Sequence, residues 1–297
     1  MDKNSLAIFC DAHFHLLPSE EALKGLPFSL GRACSAAHSP EEFLEQEKRV
    51  RELNQKYCGG IAPGSDRNGG DVASAIFSPR RENLLIQSYG LHPQEPFLDE
   101  KDFKRRGDFL EVLLNEGRVQ AVGECGFDFW SEEFSANRAR QEKAFYLQLE
   151  LAARHEVPVV VHARKAMQEI FKAASDLKKV PAVIFHSFAG SPMDALSFLS
   201  KGINAYFSFG KPIINGAKKA VHCVRALPLD RMLFETDAPY QSLKGEKATS
   251  PVEIPEVYQA AFELRFAGSP YEARPSFYDF AAKIEKNFFA AFDLEKV

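Results

Sequence analysis

Six residues of this 297-residue chain could hold divalent metal ions: His13, His15, Glu124, His162, His186 and Asp237. Imidazole nitrogens and carboxylate oxygens together suit zinc or manganese, and a carboxylate can bridge two ions. His13 and His15 stand two apart in Asp11-Ala-His13-Phe-His15, so on an extended strand both rings point the same way. Each residue alone has an ordinary reading. A strand-end histidine such as His186 is usually a hydrogen-bonded structural group, and Asp237 could cap a helix before Ala238-Pro239. Solvated loops seldom need two histidines in register, however, and all six residues follow a short apolar run. That shared placement is what points to chemistry.

The elements that must position them are read from the apolar runs. Residues 6–10 lead into His13 and His15, 84–89 into Gly90-Leu-His92-Pro93, and 119–122 into Gly123-Glu124-Cys-Gly-Phe-Asp128. Residues 157–161 lead into His162-Ala-Arg164, 182–185 into His186, 205–209 into Gly210-Lys211, and 232–234 into Glu235-Thr-Asp237. A weaker run at 57–61 supplies the eighth strand. Between the runs lie amphipathic stretches. One spans 138–155 with Phe145, Leu149 and Ala152 on one face. Another opens at Ser191-Pro192-Met-Asp194, an N-cap followed by proline and an acidic third residue, and stops at Gly202. Strands alternating with helices indicate a parallel sheet, and eight repeats predict an α/β fold of the (β/α)8 (TIM) barrel type. The carboxyl ends of barrel strands gather on one face, which would bring the six ligands together. No linker divides the chain, so residues 1–297 are expected to form one domain. Segments 19–56 and 241–252 are assigned no role.

Composition narrows the function. A net charge of −4 argues against a protein that coats nucleic acid, but not against one that grips a strand end through metal ions. The five cysteines include no Cys-x-x-Cys pair, which makes a poor disulfide or zinc framework and suits a reducing, cytoplasmic setting. No apolar run approaches the length needed to span a bilayer. His38, His155 and His222 are read as structural or surface residues.

The segments quoted above occur in the order of the TatD-family deoxyribonucleases, and the chain resembles that family of metal-dependent hydrolases over about residues 6 to 290. The resemblance implies a first metal on His13, His15 and Asp237, a second on His162 and His186, and Glu124 bridging them. It also implies that His92 contacts substrate phosphate, and that the partner is single-stranded DNA or RNA, cut from its 3′ end. The chain departs from the family pattern at Cys125, Phe127 and Ser187, beside the ligands. It departs again after Pro239, where Gly245-Glu-Lys-Ala-Thr-Ser-Pro251 replaces an Arg-Asn-Glu-Pro-like stretch.

The expected mechanism uses two divalent ions (Mg, Mn or Zn) to acidify a water, with Glu124 bridging and Asp237 as proton acceptor. A cation would steady the phosphoryl oxygens, with His92, Arg164 and Lys211 as candidates. Arg164 could equally form a salt bridge to a ligand carboxylate, and Lys211 could be a solvated loop lysine. Asp11 and Asp128 are expected to orient ligand histidines or nearby loops. Two other readings stand beside the nuclease. One is a hydrolase of small-molecule or aminoacyl esters or amides, because one barrel hosts many chemistries. The other is a metal-binding protein without activity. Exposed aromatics such as Phe129 or Trp130 beside the metals would favour the nuclease.

Overall fold

A computed structural model of the chain describes residues 8–16, 30–58 and 85–294. Eight parallel strands form one sheet in sequential order. They are β1 (Phe9–Phe14), β2 (Leu30–Ala37), β3 (Leu85–Tyr89), β4 (Ala121–Asp128), β5 (Val159–Arg164), β6 (Val183–Phe185), β7 (Ala205–Phe209) and β8 (Met232–Phe234). The helices between and after them are α1 (Pro40–Cys58), α2 (Glu100–Asn115), α3 (Glu132–Ala136), α4 (Arg138–Arg154), α5 (Met167–Lys172), α6 (Ala174–Leu177), α7 (Pro192–Ser200), α8 (Lys218–Ala226), α9 (Ile254–Arg265) and α10 (Phe277–Ala291). This is the expected (β/α)8 barrel.

One strand is corrected. Tyr57 and Cys58 end helix α1, and residues 59–61 of the expected run lie outside the described residues. The second strand is Leu30–Ala37, Leu-Gly-Arg-Ala-Cys-Ser-Ala-Ala, which has no β-branched or aromatic residue to announce it. It is extended because β1 and β3 pair with it on either side.

Several boundaries follow local chemistry. Helix α7 starts in a reciprocal capping box: the Ser191 hydroxyl accepts from Asp194 N–H, and the Asp194 carboxylate accepts from Ser191 N–H. Phe145, Leu149 and Ala152 of α4 are buried, as their spacing predicts. The larger apolar cluster lies between sheet and helices. A smaller one draws on every strand, among them Cys10, Cys34, Ile86, Ala121, Val160, Ile184, Tyr206 and Leu233, which marks it as the barrel interior. Phe288, Ala291 and Phe292 join it from the end of the chain. Asn287 of α10 donates to the carbonyls of Leu229 and Met232, which pins the last helix to the entry of β8.

The first and last strands meet through a short contact. Asp237 N–H donates to the His13 carbonyl at 2.9 Å, and His15 N–H donates to the Ala238 carbonyl at 2.7 Å. The buried Asp11 carboxylate reinforces it, accepting from the Thr236 N–H at 3.0 Å and hydroxyl at 2.6 Å. No helix among the described residues is long and apolar enough to cross a membrane.

Candidate metal centre

Glu124 lies at the middle of the strand-end face. Its aim comes from the backbone of β4, whose register against β5 shifts between Val122 and Cys125, as at a β-bulge. Glycine is required on either side. At Gly123 (φ +154°) an added Cβ would lie 2.5 Å from the Val160 carbonyl oxygen, and at Gly126 (φ +136°) 2.1 Å from that of His162. The Gly-Glu-Cys-Gly segment thus lets β4 press against β5 while its carboxylate turns into the barrel mouth.

Six imidazoles have a nitrogen within 3.8 Å of this one carboxylate. Oε1 faces His38 Nε2 at 2.9 Å, His13 Nε2 at 3.2 Å and His15 Nε2 at 3.6 Å. Oε2 faces His186 Nε2 at 2.8 Å, His162 Nδ1 at 3.4 Å and His92 Nε2 at 3.8 Å. Asp237 Oδ1 lies 3.6 Å from His13 Nε2 and 3.5 Å from His15 Nε2. The six expected ligands therefore converge, from β1, β4, β5, β6 and β8. His13, Glu124 and His162 sit within their strands rather than beyond the ends.

The donor set fits cations better than it fits hydrogen bonding. A carboxylate offers about four lone-pair sites, fewer than the imidazoles crowding it. His13 Nε2 is fully buried and makes no hydrogen bond, although it faces Glu124 and Asp237. An orphaned buried nitrogen beside two carboxylates suits a metal ligand. Groups of three ligand atoms close enough to share an ion include His13–His15–Asp237, His13–Glu124–His186 and His92–Glu124–His162.

The electrostatics divide the histidines into two sets around ionised carboxylates. Burial alone would raise the Glu124 carboxyl, but the charges of His186, His13 and His92 hold it well below the usual carboxylate range. Burial would likewise raise Asp237, and the His15 hydrogen bond with the surrounding histidines keeps it low. Burial lowers His13, and lowers His92 much further, which favours the neutral form of both rings. His186 is pushed well above its ordinary value despite burial, because Glu124 and Glu235 face it. His162 is raised against burial by Asp128 and Glu124.

Outer contacts hold the rings. Asp128 Oδ2 lies 3.0 Å from His162 Nε2 and accepts from Gln94 Nε2 at 2.9 Å. The fully buried Glu235 faces His186 Nδ1 at 3.4 Å and accepts from Ser187 N–H at 2.7 Å. Gln241, from the segment left without a role, donates to Asp237 Oδ2 at 2.9 Å and to the Ser187 hydroxyl at 2.8 Å. Asp237 itself has φ +53°, a left-handed conformation that aspartate tolerates. Asp11 binds the backbone of His13 and both polar groups of Thr236, so it fixes strand ends rather than a ring.

The centre lies in a cleft of about 720 Å³ that also includes His38, Arg106, Arg164 and Tyr240. The Arg164 guanidinium stands 4.0 Å from the centre of the Trp130 ring, and Trp130 is 53% exposed. Lys211 is corrected. Its ammonium is 0% exposed and donates to Glu246 at 2.6 Å and Glu253 at 3.0 Å, so it ties the segment after β8 to β7 and takes no part in the cleft. His38 is corrected in the other direction, from a structural or surface residue to a member of the cluster. The signal for it is its place directly after β2, a strand whose own side chains do not announce it. His155 caps α4 and exposed His222 lies within α8, both away from the centre.

Comparison with known proteins leads the same way. The chain is 37% identical over 209 residues to the 3′-5′ ssDNA/RNA exonuclease TatD of Cronobacter turicensis, covering 68% of this chain and 73% of that one. It is 29% identical over 208 residues to a metal-dependent hydrolase of Mycoplasma pneumoniae, covering 67% and 77%. The crystal structure of YjjV, a TatD homolog from Escherichia coli, superposes with a TM-score of 0.71 at 26% identity, over 96% of this chain and 98% of that one. The sequence profile described as TatD related DNase matches residues 10–293. The chain belongs to the TatD related DNase family of metal-dependent hydrolases.

Proposed function

We propose that this centre holds two divalent cations (Mg²⁺, Mn²⁺ or Zn²⁺) bridged by Glu124, and hydrolyses phosphodiester bonds of single-stranded DNA or RNA from the 3′ end, in the cytoplasm. The observation that carries the reading is the division of Glu124, one oxygen turned to His13 and His15 and the other to His162 and His186. The exonuclease name of the Cronobacter relative supports the substrate, and the buried thiols of Cys34, Cys125 and Cys223, outside any disulfide, support the compartment.

When bound, the cations supply Lewis-acid polarisation of a phosphoryl oxygen and lower the pKa of water. The chain supplies the rest. Asp237, held ionised and oriented by Gln241, accepts the proton of the attacking water and returns it to the leaving oxygen. His92 Nδ1 accepts from Gln94 N–H at 3.3 Å, so the proton of this neutral ring stays on Nε2, where it can donate to a phosphoryl oxygen. Arg164, which with Lys165 lies over the half-exposed Trp130 ring, offers a cation to the next phosphate. With strand affinity concentrated at these points, a net charge of −4 is no obstacle.

The test follows end-labelled single-stranded DNA and RNA with protein stripped by chelator and reloaded with Mg²⁺, Mn²⁺ or Zn²⁺. Metal-dependent stepwise shortening is expected, slowed about a hundredfold or more by Asp237→Asn. An unchanged rate in that variant removes Asp237 from the mechanism. No cleavage of either nucleic acid by protein that binds two ions would move the reading to an ester or amide substrate.

A further inference from the structure

Nothing in the roles assigned above uses His38, although its ring approaches Glu124 more closely than any other histidine except His186. Its backbone is clamped on both sides. His38 N–H donates to Glu42 at 2.7 Å, and its carbonyl accepts from the Arg106 guanidinium at 3.2 Å. The ring stands between those of His15 and His92, at centroid distances of 5.1 and 4.5 Å, and is 25% exposed toward the cleft. A histidine kept only for solubility would not be held this way.

We propose that His38 is a metal ligand, joining His13, His15, Glu124 and Asp237 on one ion. The proposal rests on the two-ion reading above. The ligand atoms of His15, His38 and Glu124 lie within 4.8 Å of one another, close enough to share a cation. His15 belongs also to the His13–His15–Asp237 group, and it is Nε2 that faces both Glu124 and Asp237, at 3.6 and 3.5 Å. One ring nitrogen has one lone pair and serves one ion, so a cation on His15 Nε2 that also draws on Glu124 and His38 is the cation of the His13–His15–Asp237 group. Five protein ligands leave that ion little room for solvent. Such a site favours metals that accept five or six ligands, such as Mn²⁺ or Co²⁺, over a four-coordinate Zn²⁺. The competing role is a hydrogen bond, in which a proton on His38 Nε2 is donated to Glu124 and the nitrogen cannot coordinate.

Co²⁺ titration of the full chain separates the two, with visible absorption reporting coordination and elemental analysis reporting bound metal. The proteins are wild type, His38→Ala and His38→Gln, the last keeping an N–H donor. Wild type is expected to bind two Co²⁺. Both variants are expected to bind one of these roughly tenfold or more weakly, with a more intense visible band for that ion as its coordination number falls. A His38→Gln protein matching wild type in band and affinity would make His38 a hydrogen-bond donor and overturn the proposal. Wild-type spectra in both variants would overturn it too. A wild-type protein that binds no Co²⁺ would remove the two-ion reading itself, and the proposal with it.

Discussion

At the scale of single residues, the centre depends on groups that never touch substrate. Asp128 contacts the ring of His162 through Nε2 and turns Nδ1 towards Glu124, where the proposed second ion would bind. Asp128→Asn should therefore weaken binding of the second cation by about tenfold to a hundredfold without unfolding the protein, as isothermal titration would show. Equal affinity in the variant would mean that packing alone orients the ring. The six candidate ligands are legible because histidine and carboxylate are scarce, chemically pointed types that recur here after apolar runs. Glu235 and Gln241 are not, because an outer carboxylate or amide looks like any solvated polar residue until its partner is known. Lys211 misled for a related reason. A lysine after a strand reads as a free cation, and the carboxylates that bury it, Glu246 and Glu253, lie 35 and 42 residues away.

At the scale of elements, legibility followed the strength of the local pattern. Strands rich in Val, Ile and Phe, such as β5, β6 and β7, were found within about two residues. The strand β2 was missed because pairing on both edges, rather than its own side chains, makes it extended. Helix α1, which follows it, is fastened at its middle by Glu47. That carboxylate accepts from Arg118 Nε and Nη2, both at 2.8 Å, in a fork that bridges α1 to the entry of β4. The hydrogen bonds from Arg118 hold Glu47 below its ordinary value. A lowered carboxyl stabilises the fold above its unfolded pKa near 4.5, and that contribution is lost as pH falls through the folded value. The pair is partly solvated, so Glu47→Gln should cost about 0.5–1 kcal/mol at pH 7. Urea midpoints of the two proteins should converge as the pH is lowered towards 3. A gap that persists undiminished would show that shape, not charge, joins α1 to the barrel.

At the scale of the whole molecule, seven of the eight strands send a polar group into one mouth, and α10 closes the opposite end with Phe288, Ala291 and Phe292. The barrel joins its last strand to its first at His13, His15, Asp237 and Ala238. Three of those four belong to the proposed ligand set. Whatever binds them also acts as the latch of the cylinder, so ion occupancy and ring closure are thermodynamically linked. Free Zn²⁺ at a hundredfold its Kd should add about 2.7 kcal/mol to the unfolding free energy if only the folded chain binds it. Chelation should have a local signature as well. Amide hydrogen exchange at His15 and Asp237 should quicken before exchange in the β4–β5 region does, because the latch opens before the wall comes apart. Uniform acceleration along the chain would mean that the cylinder stays closed without its ions, and that β1 and β8 need only each other.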